Sequence, residues 1–533
     1  MSSTSQPVAD PPYCTVAVLL EQHRRRTPEK PAIVDVDDRK SISFKELAGV
    51  VDGIGRQLLR RGIKKGERVV LAGTEGLDKL LLWLGIWRIG AVVCPLDVSF
   101  VRPAIARTLI DTIAPALVLA PANGDDSICA VTDGPVMRFA AWSSTGADEA
   151  APETLRLASD DRDDVALPDG ATASAPGDIA SMCCTSGTTG MPKIVVYDHA
   201  CYWLNSLDSI DLLGLNVDDR ALEYRSFDWY SAQILSLMPF LQLGSTLCVA
   251  RRFSMSRFAD WIKSHRVTVS AGVPTVLNML LEAPVDTRDG SFATLRAMTC
   301  STAPLSPVQW ARFEKHYGIR ILNLYGSSEA GWMCGNRAQR RRIGTVGYPV
   351  AHIEFDIVDP DGVSCGPDVE GQVVVSGPKL ALGLLCSDGT IKPIRGAPLF
   401  TRDVAARDAD GFVRMAARMD DLIIRGGVKI VPQEIEDAML GHPDVQDVAA
   451  LGVPDPVYGQ ESVCFVVPHP GTAPDAEELC AYCRAHLPRE KWPKHVYLVA
   501  SLPRNARSKI LRDELRQQWW QIVNTARDLP ECE

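Results

Sequence analysis

Residues Thr185-Ser186-Gly187-Thr188-Thr189-Gly190-Met191-Pro192-Lys193 gather hydroxyls, glycines and one cation into a single short loop. Glycine lets a backbone approach an anion closely, hydroxyl and amide groups donate hydrogen bonds to it, and a lysine adds a point charge. The string suits phosphate. It is not a Walker A loop, which needs four residues between its glycines and a Gly-Lys-Ser/Thr ending that opens a helix. A bare Gly-Thr-Thr-Gly would read as a surface turn; the whole string reads as a phosphate cradle. Three later segments carry compatible chemistry. In Asn323-Leu324-Tyr325-Gly326-Ser327-Ser328-Glu329 an aromatic face can stack on a purine, and a carboxylate can hold Mg2+. In Thr401-Arg402-Asp403 the aspartate can accept from ribose hydroxyls, although a lone loop aspartate also caps turns. The basic turn from Pro503 to Arg512 contains Lys509 and, taken alone, is a solvated charge cluster.

These segments need a scaffold. A strand over 178–184 runs into the phosphate loop, and Val195, Val196 and Tyr197 begin a strand that leaves it. Helices over 16–27, 44–61 and 77–89 alternate with strands over 32–36, 68–72 and 91–96, which predicts an α/β sheet. Residues 123–177, rich in Ala, Asp, Pro, Ser and Gly, read as a loop or linker. A second α/β half follows, with strands over 246–250, 268–271, 295–299 and 320–324. Short strands with Asp-Gly and Gly-Pro turns over 353–375 predict a small β subdomain. The pattern changes near 418–422, where a helix over 432–440 begins a compact β/α stretch. The predicted organisation is an α/β body of residues 1–419 and a small C-terminal α+β domain of residues 420–533.

At 533 residues the chain exceeds one hydrophobic core, and 46% hydrophobic with 23% charged residues is the balance of a globular enzyme. A formal charge of -10 opposes non-specific binding to nucleic acid or anionic lipid. The most apolar stretch, 77–96, is broken by Asp78, Lys79 and Arg88, so a buried helix and strand are expected there rather than a membrane span. An N-terminus without a signal-peptide layout, together with fifteen cysteines, predicts reduced thiols in a cytoplasmic protein. Cys480-x-x-Cys483 with His486 lacks a second zinc-ligand pair and lies on an amphipathic helix over 476–487, which reads as core.

In this order the segments resemble the acyl-adenylate-forming superfamily of acyl-CoA synthetases, peptide-synthetase adenylation domains and luciferases, with the pattern closest to acyl-CoA synthetases. Arg418-Met419-Asp420-Asp421-Leu422-Ile423-Ile424-Arg425-Gly426-Gly427 and Pro432-Gln433-Glu434-Ile435-Glu436 extend the resemblance over nearly the whole chain. It implies use of ATP, Mg2+ and CoA to convert a small carboxylic acid into an acyl-adenylate and then a thioester. Thr185, Ser186, Gly187, Thr188, Thr189, Gly190 and Lys193 would handle the β- and γ-phosphates, and Tyr325 would pack on adenine. Ser328 would lie by the α-phosphate, Glu329 would ligate Mg2+, and Asp403 and Arg418 would hold the ribose. Lys509 would bridge the attacking carboxylate and the α-phosphate. The C-terminal domain would be a mobile lid turning about Asp420. Gly426 and Gly427 would flank the CoA tunnel, or simply make a hairpin turn.

The chain departs from the family pattern in several places. Arg402, Ala417 and Ser508 stand where glycines are usual, which requires negative φ at each. No histidine gate follows Phe227; counting back from Gln233, Trp229 takes its place, where an indole would screen the site from water. Phe227-Asp228 also echoes amino-acid-activating domains, in which the aspartate pairs with the substrate amine; the alternative reading of Asp228 is a cap on the next helix. The spacing from Gln233 to Gly244 and the Arg252-Phe253-Ser254 segment look more like acyl-CoA synthetases. The resemblance places Trp229, Val273, Ser301, Thr302, Ala303, Gly331, Trp332 and Met333 around the acyl group. Two indoles there favour an aryl or short- to medium-chain acid. Arg337, Arg340, Arg341 and Arg342 would meet CoA phosphates or form a solvated loop. The alternative thiol acceptor is a carrier-protein pantetheine. A non-catalytic nucleotide-binding protein would be expected to lack Lys509 or Glu329. The chain would act as a monomer or a homodimer.

Overall fold

The computed structural model describes residues 10–73, 75–96, 103–123, 128–143, 154–159, 165–170, 173–185, 192–303, 305–504 and 510–525. Two nine-stranded sheets dominate the body. In the first, Leu155–Arg156, Val136–Ala140, Leu117–Pro121, Arg68–Ala72, Val92–Leu96 and Ile179–Cys184 run parallel in that spatial order. Ile194–Asp198, Gly383–Leu385 and Ile391–Pro393 then continue it antiparallel. The strand before the expected phosphate loop and the strand after it form an antiparallel pair, so the expected strand–loop–strand order holds for the two strands.

The stretch expected to be a loop over 123–177 contributes two strands, Val136–Ala140 and Leu155–Arg156, at the sheet edge. Val136–Ala140 buries only Phe139 fully, so its hydrophobic pattern is faint; pairing with Leu117–Pro121 decides its conformation.

The second sheet runs Tyr348–Pro349, Gly331–Gly335, Arg320–Ser327, Ala297–Cys300, Val269–Ser270, Arg220–Glu223, Thr246–Val249, Pro31–Asp35 and Lys40–Ser43. Here the expectation of two consecutive halves fails, because Pro31–Asp35 pairs parallel with Thr246–Val249 in the register Ile33 to Leu247 and Val34 to Cys248. The first strand of the chain is apolar on both faces, which demands a covered position inside a parallel sheet.

Between these layers lies the helix Leu77–Arg88, packed on the helix Phe44–Arg60 and buried everywhere except Asp78. Its apolar residues surround one lysine, Lys79, which is 1% exposed. A four-stranded antiparallel sheet follows, made of Glu354–Val358, Gly371–Ser376, Leu399–Arg407 and Val413–Arg418. The C-terminal part is a five-stranded sheet of Val428–Ile430, Ile423–Arg425, Gly459–Pro468, Val445–Asp455 and His495–Leu498, with the helices Pro432–Met439, Ala476–His486 and Arg512–Thr525. Among the described residues no helix is long and apolar enough to cross a membrane. Cys480 is disulfide-bonded, contrary to the expectation of thiols throughout, while Cys483 is a free, buried thiol. Composition sets only the average redox state, whereas a single bond is decided by local geometry.

Candidate active site

The loop expected to hold phosphate is closed at its neck. Thr185 N–H donates to the Lys193 carbonyl at 2.8 Å, and Lys193 N–H donates to Thr185 Oγ1 at 3.2 Å. Ser186, Gly187, Thr188, Thr189 and Gly190 lie outside the described residues, as does Lys509. On the strand leaving the loop, the Tyr197 hydroxyl donates to the Ser328 carbonyl at 2.7 Å. The loop and the Tyr325 to Glu329 segment therefore share a support.

Tyr325, Asp403 and Arg418, drawn from three separate segments, meet. The Tyr325 hydroxyl donates to Asp403 Oδ2 at 2.6 Å, and Arg418 Nε lies 3.2 Å from Asp403 Oδ1. Asp403 and Arg418 are direct cross-strand partners, so sheet register alone makes that pair. Burial pushes the Tyr325 phenol well up, and the Asp403 charge adds to it. Tyr325 precedes a register shift at Gly326, where a Cβ would stand 2.3 Å from the Gly331 carbonyl oxygen. Only glycine permits that approach. The Glu329 carboxylate is half-buried and makes no hydrogen bond or ion pair among the described residues. It is an uncommitted hard oxygen ligand, the kind Mg2+ takes.

The expected acyl-side residues fall on a strand, on the start of a short helix and on two joined loops. Trp332 and Met333 are buried on the strand Gly331–Gly335. Gly331, at φ +66, leaves room for Asn205, whose Oδ1 accepts from Trp332 N–H at 3.0 Å. Buried Lys379 donates to the Trp332 carbonyl and to Asp208, and His352 Nδ1 lies 2.7 Å from Asp208 Oδ1. Burial pulls the Lys379 ammonium down against the opposing Asp208 charge, while hydrogen bonding to Asp208 raises His352. Trp332 is thus gripped through both its backbone groups by side chains that sequence reasoning did not identify.

Gly272 N–H donates to Thr299 Oγ1 at 3.1 Å, which joins the loop carrying Val273 to the loop carrying Ser301, Thr302 and Ala303. Arg225, locked to Glu223 by a buried ion pair, directs Nη1 at Ser301 Oγ, 3.4 Å away. Thr302 has φ +83, a left-handed backbone that a β-branched residue adopts only under strain, and such strain gathers at functional loops. Trp229 opens the short helix Tyr230–Ala232, which packs on Gly331–Gly335.

Asp228 does not cap that helix: the N-cap is Trp229, and no side chain makes a capping hydrogen bond there. Instead Asp228 Oδ1 lies 2.5 Å from Lys79 Nζ, which is 2.8 Å from Glu75 Oε1. The helix then continues as a π-helical turn, Gln233–Leu237. Gln233 Nε2 donates to the Phe227 carbonyl at 2.6 Å, and its Oε1 accepts from Tyr202 Oη at 2.6 Å. Insertions of this type recur at functional sites.

The remaining expectations divide. Each arginine of the 337–342 run has an internal partner: Arg337 binds Asp211, Arg341 binds Glu314, Arg342 binds Asp408 and Asp410, and Arg340 stacks on Tyr348. Arg340 and Arg342 are exposed, so the run is a surface loop whose arginines are braced from within the chain. Gly426 and Gly427, at φ +55 and +87, make the two-residue turn between Ile423–Arg425 and Val428–Ile430. Arg402, the departure from glycine, pairs with Asp420.

Residues 20–385 match the AMP-binding enzyme family, and residues 434–509 match the AMP-binding enzyme C-terminal domain. The chain belongs to that family. Curated relatives of this AMP-binding enzyme include a feruloyl-CoA synthase of Amycolatopsis sp, 29% identical over 90% of this chain and 94% of the relative. A 2-succinylbenzoate--CoA ligase of Geobacillus sp. (strain WCH70) is also 29% identical, over 93% of this chain and 96% of the relative. ATP-bound MatB from Rhodopseudomonas palustris shares the fold with a TM-score of 0.83 at 24% identity, over 95% of this chain and 99% of MatB. This AMP-binding enzyme is therefore an acid ligase of the acyl-CoA synthetase type, with an α/β body and a C-terminal α+β domain.

Proposed function

We propose that this enzyme joins an aryl or short- to medium-chain carboxylic acid to CoA through an acyl-adenylate. The observation that carries the reading is the convergence of Tyr325, Asp403 and Arg418 beside the segment holding Ser328 and the free Glu329 carboxylate. One nucleotide would use them all. The relatives named feruloyl-CoA synthase and 2-succinylbenzoate--CoA ligase carry aromatic acyl groups in their names, and Trp229 with Trp332 would suit the same class.

In the first step a substrate carboxylate oxygen attacks the α-phosphorus of ATP, and pyrophosphate leaves. The Thr185 to Lys193 loop would hold the β- and γ-phosphates, Tyr325 would cover adenine, and Asp403 with Arg418 would hold the ribose. Glu329 would hold Mg2+, whose charge offsets that of the phosphates. Lys509 would stabilise charge growing on the phosphorane oxygens, a role in which one positioned donor contributes about 3 to 4 kcal/mol. In the second step the CoA thiol adds to the carbonyl and AMP leaves. Rotation about Asp420 would withdraw Lys509 and present the Gly426-Gly427 turn to the pantetheine arm.

The test is ATP–pyrophosphate exchange over a panel of organic acids, followed by thioester formation with CoA or with a pantetheinylated carrier protein. Exchange with an aryl or short acid, and a thioester with free CoA, are expected. No exchange with any acid would overturn the reading, and a thioester on the carrier alone would replace CoA as acceptor.

A further inference from the structure

We propose that Lys79 sets the charge specificity of the acyl site: by neutralising Asp228 it excludes acids that carry an ammonium group near the carboxylate. The inference rests on the functional reading above and concerns which acids that site admits.

Asp228 occupies the loop that leads from the strand Arg220–Glu223 to Trp229 and Tyr230. Two contacts bind this loop to the reaction centre. Tyr230 stacks on Tyr197 with ring centroids 3.9 Å apart, and Tyr197 holds the Ser328 carbonyl. On the neighbouring strand, Cys183 lies two residues before Thr185, and Gln233 Nε2 joins it to the loop, donating to the Phe227 carbonyl at 2.6 Å and to Cys183 Sγ at 3.5 Å. The Asp228 loop is thus tied to the base of the phosphate loop and runs directly into Trp229, one of the residues expected around the acyl group.

A bare carboxylate there would attract a cationic substrate, but this one is already engaged. Lys79 rises from the buried helix Leu77–Arg88, its side chain 2% exposed, and reaches both Asp228 and Glu75. Ser226 Oγ donates to Glu75 and accepts from Asp228 N–H at 3.0 Å, and Phe227 N–H points at Glu75 Oε2 at 3.4 Å. Backbone and side chains of the loop are therefore fixed around the ammonium. Burial alone would lower the Lys79 ammonium, but the Asp228 and Glu75 charges outweigh it and hold it above the usual lysine range. Burial raises the Glu75 carboxyl, with the Asp228 charge adding and the Lys79 charge opposing. The lysine stays charged, and a second cation brought to Asp228 would meet it.

Replacing Lys79 alone would leave two buried carboxylates unpaired, so the informative variant is the double change Lys79→Met with Glu75→Gln, which frees Asp228. Pyrophosphate exchange is measured with matched acids that differ only by an ammonium group, such as 3-phenylpropanoate and phenylalanine. A charge-assisted contact of the kind freed here changes such a ratio by about tenfold or more. The wild type is expected to prefer the acid without the amine, and the double variant to raise the amine-to-neutral ratio by about tenfold. Adding Asp228→Asn should return the ratio to its starting value. A folded double variant with an unchanged ratio, or a wild type that uses both acids equally, overturns the proposal while leaving acid activation intact. Absence of exchange with every acid in the wild type overturns the functional reading and this inference with it.

Discussion

Lys379→Met is expected to cost stability and to loosen one wall of the proposed acyl site without touching nucleotide binding. Lys379 and Asp208 are both essentially excluded from solvent, with side-chain exposures of 0% and 1%. Removing one member of a buried ion pair commonly costs about 3–5 kcal/mol, because the other charge stays behind. Loss of the donor to the Trp332 carbonyl adds about 1 kcal/mol. His352 remains beside Asp208 with its pKa raised, which limits the damage, so the low end of that range is expected. The measurement is the urea midpoint and slope at neutral pH, together with KM for acid and ATP separately. An approximately tenfold rise in the KM for acid with an unchanged KM for ATP would follow from the displaced Trp332. Asp208→Asn in the same chain should recover much of the loss, since it removes the stranded charge. A single variant as stable as the wild type, or one in which the KM for ATP rises in parallel, would refute the argument that this network serves Trp332.

Three further outcomes are expected. Asp403→Ala strips the partner from Tyr325 and Arg418, so the KM for ATP should rise by about tenfold or more while that for the acid holds, as read by initial rates. Gly331→Ala would force a left-handed backbone onto alanine and place its Cβ 2.0 Å from Asn205 Oδ1, so a thermal melt should show a marked loss, and an unchanged melting temperature would remove the packing argument. Asp437 has its carboxyl raised to about 6, chiefly by burial, opposed by Gln433 and reinforced by the Glu436 and Glu434 charges. The folded form therefore binds its proton more tightly than the unfolded chain, and its contribution to stability is lost as the pH climbs from 4 through about 6. Asp437→Asn should be more stable than the wild type at pH 8 by up to about 3 kcal/mol and no more stable at pH 4, measured by denaturant titration at both.

Local pattern revealed most of the elements, because helices such as Phe44–Arg60 and strands such as Arg68–Ala72 carry their own period and caps. The meeting of Tyr325 with Asp403 and Arg418 agrees with the order of the motifs, although each segment taken singly also reads as a turn or a cap. Pairing over long distances was not legible, since nothing in Pro31–Asp35 names Thr246–Val249 as its neighbour. Nor were the partners of Asp228 and Trp332. A lysine among leucines at position 79 was a usable signal, because an amine that deep requires acids nearby. Lys379 offered no comparable cue, as its surrounding sequence reads as an ordinary turn.

The strand Pro31–Asp35 has a consequence for synthesis. While the chain emerges from a ribosome, this segment must wait for more than two hundred further residues before its parallel neighbour Thr246–Val249 exists. Until then it is an apolar ribbon with one hairpin mate, Lys40–Ser43, and an unfilled edge. Vectorial folding from the N-terminus is thereby blocked for this layer, and the nascent protein exposes a sticky margin that a chaperone or slow collapse must shield.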